Sequence, residues 1–180
     1  RPVASVLVNP PSPTVLVGGQ LQLTSMTLGE SGDVLTGRNV FWTTTNPLVA
    51  SIDNTGLLTG LSPGATTITA TSENRSASVG VSVLPVPVAT VQVAPALDTV
   101  VVGQTTQLTA IARDSVGTPL TDRAVAWSSS GANATVSASG LVVGNAAGTV
   151  TITASSEGMS GTSRIVVLPR PVGSVIVSPA

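Results

Sequence analysis

Apolar and polar residues alternate with period two along most of the chain, in runs rich in Val, Ile and Thr, and no stripe recurs at helical spacing. The alternation predicts a first strand over Val3–Val8 with Val6 and Val8 on one face. A second should carry Leu23, Ser25 and Thr27 inward, and a third Val40 and Trp42. Two late strands are expected to turn Ile68 and Ala70, then Val81 and Val83, to the same interior. Gly56, Gly60, Pro63 and Gly64 punctuate shorter strands at Val49–Ile52 and Leu57–Thr59.

The pattern then repeats. Val17-Gly18-Gly19-Gln20-Leu21-Gln22-Leu23-Thr24 returns as Val102-Gly103-Gln104-Thr105-Thr106-Gln107-Leu108-Thr109, and Trp42 returns as Trp127, both 85 positions on. From Gly56-Leu57, which matches Gly140-Leu141, the offset is 84, so one residue has been lost where a loop is expected. The opening segment occurs three times, at Arg1–Pro10, Val86–Pro95 and Arg170–Pro179. Modules are therefore expected over 1–85 and 86–169, with 170–180 as the first strand of a truncated third repeat. Pro85 and Pro87 make the joint, and two prolines so close favour an extended, semi-rigid link. The phase has an alternative: the opening strand could instead close the preceding module, which would leave Val3–Val8 as the orphan.

The second copy sorts inward positions from outward ones. Leu7 becomes Gln92 and Phe41 becomes Ala126, as expected of solvent-facing sites, whereas Val6/Val91, Val40/Val125 and Trp42/Trp127 persist. The expected cores are Leu23, Trp42, Ile68 and Val81 in the first module, and Leu108, Trp127, Ile152 and Ile165 in the second. Roughly seven short strands in each, all with one apolar face, predict two antiparallel sheets packed face to face. The fold class is thus all-β, two tandem Ig-like sandwiches. With Cys absent there is no disulfide, and Trp packing against small and branched neighbours takes its place.

Composition narrows the chemistry. A mean hydropathy of +0.47 with only 8% charged residues is the reverse of a disordered chain. Without His or Cys there is no common zinc set, no Ser/His/Asp or Cys/His nucleophile and no usual haem ligand, so an enzyme is not expected. Seven Arg and no Lys against eight acids give a net charge of −1, which shows no footprint for nucleic acid. Every apolar stretch is interrupted short of the roughly 18 residues of a spanning helix, so direct membrane insertion is not expected. Arg1-Pro2-Val3 does not start a signal peptide, and the stretch reads as excised from something longer.

Local candidates mostly resolve into turn chemistry. Glu30-Ser31-Gly32-Asp33 and Asp53-Asn54-Thr55-Gly56 are the densest oxygen-donor runs, but neither has the spacing of a calcium loop. The second copy also replaces the latter with Ser137-Ala138-Ser139-Gly140. Asp, Asn and Gly at these points predict turns, and no metal or other cofactor is expected. Gly18-Gly19 and Gly103 precede no helix and no Lys, so they too predict turns rather than a phosphate cradle. Phe41 is the one aromatic expected to face solvent and is the candidate interaction residue, though a lone ring makes a poor carbohydrate platform. Arg38 and Arg123 occupy equivalent positions and are expected to bond nearby carbonyls.

The opening strand ending in Pro, Val-Gly-x-Gln-x-x-x-Leu-Thr, Trp two residues after Val, Gly-Leu-x-x-Gly, Ile-Thr-Ala and a closing Val-x-Val resemble the bacterial Ig-like domain, group 2. The likeness covers Val3 to Leu168 in two copies; the second has Ala147-Gly148 in place of Pro63-Gly64. Domains of this kind occur in intimin- and invasin-like adhesins, other bacterial surface proteins, phage proteins and accessory parts of extracellular enzymes. The resemblance implies an extracellular or cell-surface tandem array that serves as a spacer or stalk presenting a binding head. Its partners would be adjacent Ig-like repeats. Two other roles are a directly adhesive module for a host or matrix protein or polysaccharide, and an accessory domain of a hydrolase.

Overall fold

The computed structural model describes residues 1–177; Ser178, Pro179 and Ala180 lie outside the described residues. Among the described residues every regular element is a strand, and none is a helix long and apolar enough to cross a membrane. The chain forms two compact units, Arg1–Val86 and Pro87–Ala180.

The first unit holds β1 (Ser5–Asn9), β2 (Thr14–Leu16), β3 (Gln20–Gln22), β4 (Thr24–Leu28), β5 (Phe41–Thr44), β6 (Ala50–Ile52), β7 (Leu57–Gly60), β8 (Gly64–Ser72) and β9 (Arg75–Leu84). One layer is the four-stranded sheet β2-β9-β8-β5; the other is made by the pair β1-β4 and the sheet β3-β7-β6. The expected seven strands are recovered because two of them are broken. β3 and β4 are one strand interrupted at Leu23, whose amide turns aside to Gly56 O at 2.9 Å. β1 and β2 are one segment that leaves the first layer after Asn9 and joins the second at Thr14.

That crossing produces the exception to antiparallel pairing. β2 runs parallel to β9 with Thr14, Val15 and Leu16 opposite Ser82, Val83 and Leu84. All other ladders of the unit are antiparallel, including β1 on β4 with Val6 opposite Thr27. The opening strand therefore pairs inside its own unit. Between the layers lie Leu23, Leu58, Ile68, Val81 and Val83, each at most 2% exposed, with Ala50 and Ala70 filling the narrow places.

The second unit repeats the plan with β10 (Thr90–Ala94), β11 (Leu97–Val101), β12 (Thr105–Gln107), β13 (Thr109–Arg113), β14 (Pro119–Leu120), β15 (Ala126–Ser129), β16 (Ala134–Val136), β17 (Leu141–Gly144), β18 (Gly148–Ser156) and β19 (Met159–Leu168). Here β11 lies parallel to β19 over five residue pairs, Leu97 opposite Arg164 to Val101 opposite Leu168. Its core is Leu108, Val142, Ile152, Ile165 and Val167 around Ala134 and Ala154.

Pro85 and Pro87 are exposed where the two units meet in sequence. Val172–Val177, expected to open a third repeat, joins no ladder, and its apolar side chains are exposed. The remainder of that expected strand falls outside the described residues. In the two complete copies the partner of the opening strand comes later in sequence, as Thr24–Leu28 does for Ser5–Asn9.

Candidate functional site

The side chains expected inside are found as follows. Leu23, Ile68 and Val81, like Leu108, Ile152 and Ile165, are fully buried. Trp42 and Trp127 are only half-buried: each packs on its core cluster but leaves part of the indole in solvent. Beside each ring lies a knot of polar contacts at the break in the second strand. Gln22 Nε2 donates to Leu23 O at 2.8 Å and to Thr55 O at 2.7 Å, and Gln107 Nε2 does the same to Leu108 O and Ser139 O, both at 2.8 Å. These bonds draw the Thr55–Gly56 turn, and its Ser139–Gly140 counterpart, against the ring. Sequence reasoning missed Gln22 and Gln107, although their recurrence in both copies was the available signal.

Asp53 organises the adjoining turn in the first unit. Its Oδ1 accepts from Thr55 Oγ1 at 2.6 Å, Thr55 N at 2.8 Å and Leu57 N at 3.0 Å. Ser137 does this work in the second unit, accepting from Leu141 N at 3.1 Å and Ser139 N at 3.3 Å. These are the side-chain-to-backbone bonds of a turn, and among the described residues no group of three or more His, Cys, Asp or Glu is placed to hold a metal ion. The Thr55 hydroxyl, then the Leu57 amide, hold the Asp53 carboxyl below the usual Asp value. A lowered folded value means that the ionised turn stabilises the fold above the ordinary Asp range, near pH 3.9, and that this contribution fades as pH falls through the folded value. Asp53→Asn keeps the acceptor oxygen but cannot titrate. Thermal melts of the first unit should therefore drop less between neutral and acid pH in this variant than in the parent chain; an identical acid drop would refute the assignment.

Arg38 and Arg123 do more than bond carbonyls. Arg38 Nη1 reaches Glu73 Oε1 at 2.9 Å and Nη2 donates to Arg1 O at 2.5 Å, while Arg123 Nε lies 2.8 Å from Glu157 Oε1. Glu73 and Glu157 sit at φ of +47° and +48° in the β8–β9 and β18–β19 hairpins. Each accepts the amide of the first buried residue of its unit, Val3 at 2.9 Å and Val88 at 3.0 Å. An Arg–Glu pair thus pins the opening segment of each repeat. Nothing in the local alternation pointed to Glu73 or Glu157, because the amides they hold lie about 70 residues away and Arg38 lies 35 from Glu73.

The concavity that gathers the expected candidates lies in the first unit at the open edge of the sandwich. It is a groove of about 600 Å³ bordered by Arg38, Phe41, Trp42 and the Asn54–Thr55 turn. Phe41 is 66% exposed there, as expected of an outward ring. The sequence placed Trp42 wholly in the core; the structure leaves it half-buried on the inward face of β5, opposite Ala70, while Phe41 lies opposite Thr71 on the other face.

Two half-open sandwiches with an Ig-like strand plan, built twice on the same residues and free of disulfides, define the class of protein. The family description "Bacterial Ig-like domain (group 2)" matches residues 2–83 and again 87–167, and the chain belongs to this family. Ice-binding protein 1 of Shewanella frigidimarina (strain NCIMB 400) is 30% identical over 180 residues, an alignment covering 98% of this chain and 20% of that protein. The chain thus spans about a fifth of that relative's length. Among solved structures, domains 1–6 of the surface layer protein SbsC match at 23% identity and a TM-score of 0.47, over 96% of this chain and 29% of that one. The Escherichia coli adhesin FdeC matches at 19% identity and a TM-score of 0.43, over 92% and 63%.

Proposed function

We infer that these residues are non-catalytic spacer modules, running over 1–85 and 86–169, of a bacterial surface or secreted protein, and that they hold a separate binding element at a distance. Membership of a bacterial Ig-like family supports this, and so does the neutral, Ser- and Thr-rich exterior, which is poorly suited to electrostatic capture. The observation that carries the reading is the parallel pairing at the ends of each unit. After the opening strand β1 or β10, the next segment, β2 or β11, is hydrogen-bonded alongside the segment leaving the unit, β9 or β19. A pull on the two ends of a unit, once it has passed β1 or β10, loads those parallel bonds together in shear instead of opening them one at a time. That arrangement suits a module that must transmit tension.

Single-molecule pulling on the chain tests this. Two separate unfolding events are expected, with the second unit resisting the higher force because β11 pairs over five residues and β2 over three. Extension without force peaks would overturn the spacer reading.

A further inference from the structure

Arg170 stands just beyond β19, and its side chain turns back onto the unit that the chain is leaving. Val102 N donates to Leu168 O at 2.9 Å, which carries the parallel ladder of β11 on β19 one step past Val101 and Leu168. In a parallel ladder the next bond, to the Val102 carbonyl, would come from the backbone amide of residue 170. Here Arg170 Nε supplies it, donating to Val102 O at 3.0 Å. Val102 is thus bonded to the departing chain through both its N–H and its C=O. By the sequence repeat Arg170 opens the third copy; by its contact it serves the second.

The turn leaves room for the guanidinium. A Cβ added at Gly103 would run into Arg170 Nη2, so the planar group lies across the bare Cα of that glycine. The backbone beneath has little freedom to lose. Pro169 and Pro171 flank Arg170, each ring fixes its own φ, and each keeps the residue before it extended. The first unit leaves through Leu84-Pro85-Val86-Pro87-Val88 and the second through Leu168-Pro169-Arg170-Pro171-Val172, so one residue in this stretch differs. A valine side chain has no donor to offer a carbonyl. A Cβ added at Gly18, the counterpart of Gly103, would meet nothing within 4 Å.

We propose that Arg170 transmits tension into the second unit: its guanidinium adds a side-chain rung to the β11–β19 seam at the end where a pull arrives. A chain drawn from beyond Pro171 reaches Arg170 before Leu168, so the bond to Val102 is stretched together with the five residue pairs of the ladder. This role rests on the spacer reading, and it assigns to one side chain a share of the resistance that the backbone ladder provides. Arg170 acts by holding Val102 and touches no partner of its own.

The test is a force clamp on the 180-residue chain held by its two ends, comparing the parent with Arg170→Met and Arg170→Gln. Met matches the stem of Arg and has no donor. Gln places an N–H nitrogen as many bonds from Cα as Arg Nε, without the charge. R170M should shorten the lifetime of the second unit under force about fivefold, the scale of one hydrogen bond, and leave that of the first unit unchanged. R170Q should keep most of the parent's lifetime. In urea, where nothing pulls on the ends, R170M should unfold at nearly the parent's rate. By NMR the Arg170 Nε–H should exchange with water more slowly than that of the exposed Arg75. Force events with equal lifetimes in the parent and R170M would overturn the role of Arg170 and leave the spacer reading standing. So would equal shortening in R170M and R170Q, a loss in urea as large as that under force, or an Arg170 Nε–H that exchanges as fast as Arg75's. Extension without force events would remove the spacer reading and this role with it.

Discussion

Trp127→Ala is expected to cost the second unit about 3–5 kcal/mol, towards the lower end because part of the indole is already in water. The ring packs on a cluster that includes Leu108, Val142 and Ile152, and its backbone pairs with Ala154, a residue too small to close the gap. No disulfide ties the layers together. A domain is typically stable by only about 5–15 kcal/mol, so this single truncation removes a large share of the total. Calorimetry should show the second unit's transition falling by roughly 15 °C or more. The first unit, whose core shares no residue with this cluster, should melt as before. A variant that melts like the parent would show that the indole is not holding the layers.

Gly140→Ala should be nearly as damaging, although it adds a single methyl group. Gly140 adopts φ +82°, which costs an L residue about 1–2 kcal/mol. A Cβ there would stand 2.5 Å from Leu108 O and 3.0 Å from Trp127 Cζ2. Neither neighbour can yield: the carbonyl also receives Gln107 Nε2, and the ring is seated on the core. Forcing them apart adds about 1–3 kcal/mol, as overpacking does elsewhere. Gly117→Ala separates the two contributions, since Gly117 has φ +87° and a methyl group added there would meet nothing within 4 Å. The Gly117 variant should lose only the conformational share in urea titration, and the Gly140 variant distinctly more. Equal losses would show that the contact with Leu108 and Trp127 does not matter.

The glycine illustrates what could be read in advance. Gly56 and Gly140 were visible as turn residues because both copies keep them after an Asp or Ser turn, and local backbone chemistry is enough to say so. That the same glycines also make room for a tryptophan was not visible, since the ring arrives from β5 or β15, about 14 residues away in sequence. The inward burial of Leu23, Ile68 and Val81 followed from alternation alone. The half-exposure of Trp42 did not, because how far the two layers and the Thr55 turn close around the ring depends on residues distant in sequence. Phe41 was recognised as an outward ring, but as an isolated one. The groove that it borders emerges only when the third strand, the strand break and the Asn54 turn come together at one edge.

By itself the sequence determined the all-β class, the two copies, the faces of the strands and the absence of His and Cys chemistry. All of these are properties of neighbouring residues or of composition, and period-two alternation states which side of a strand is greasy whatever lies across from it. The tertiary structure alone decided which strands are partners: that β2 leaves one layer to run parallel with β9, that Glu73 holds the amide of Val3, and that a groove forms beside Trp42. Pairing and grooves depend on contacts between residues tens of positions apart, and an alternating pattern is compatible with many such pairings until the two layers close on each other.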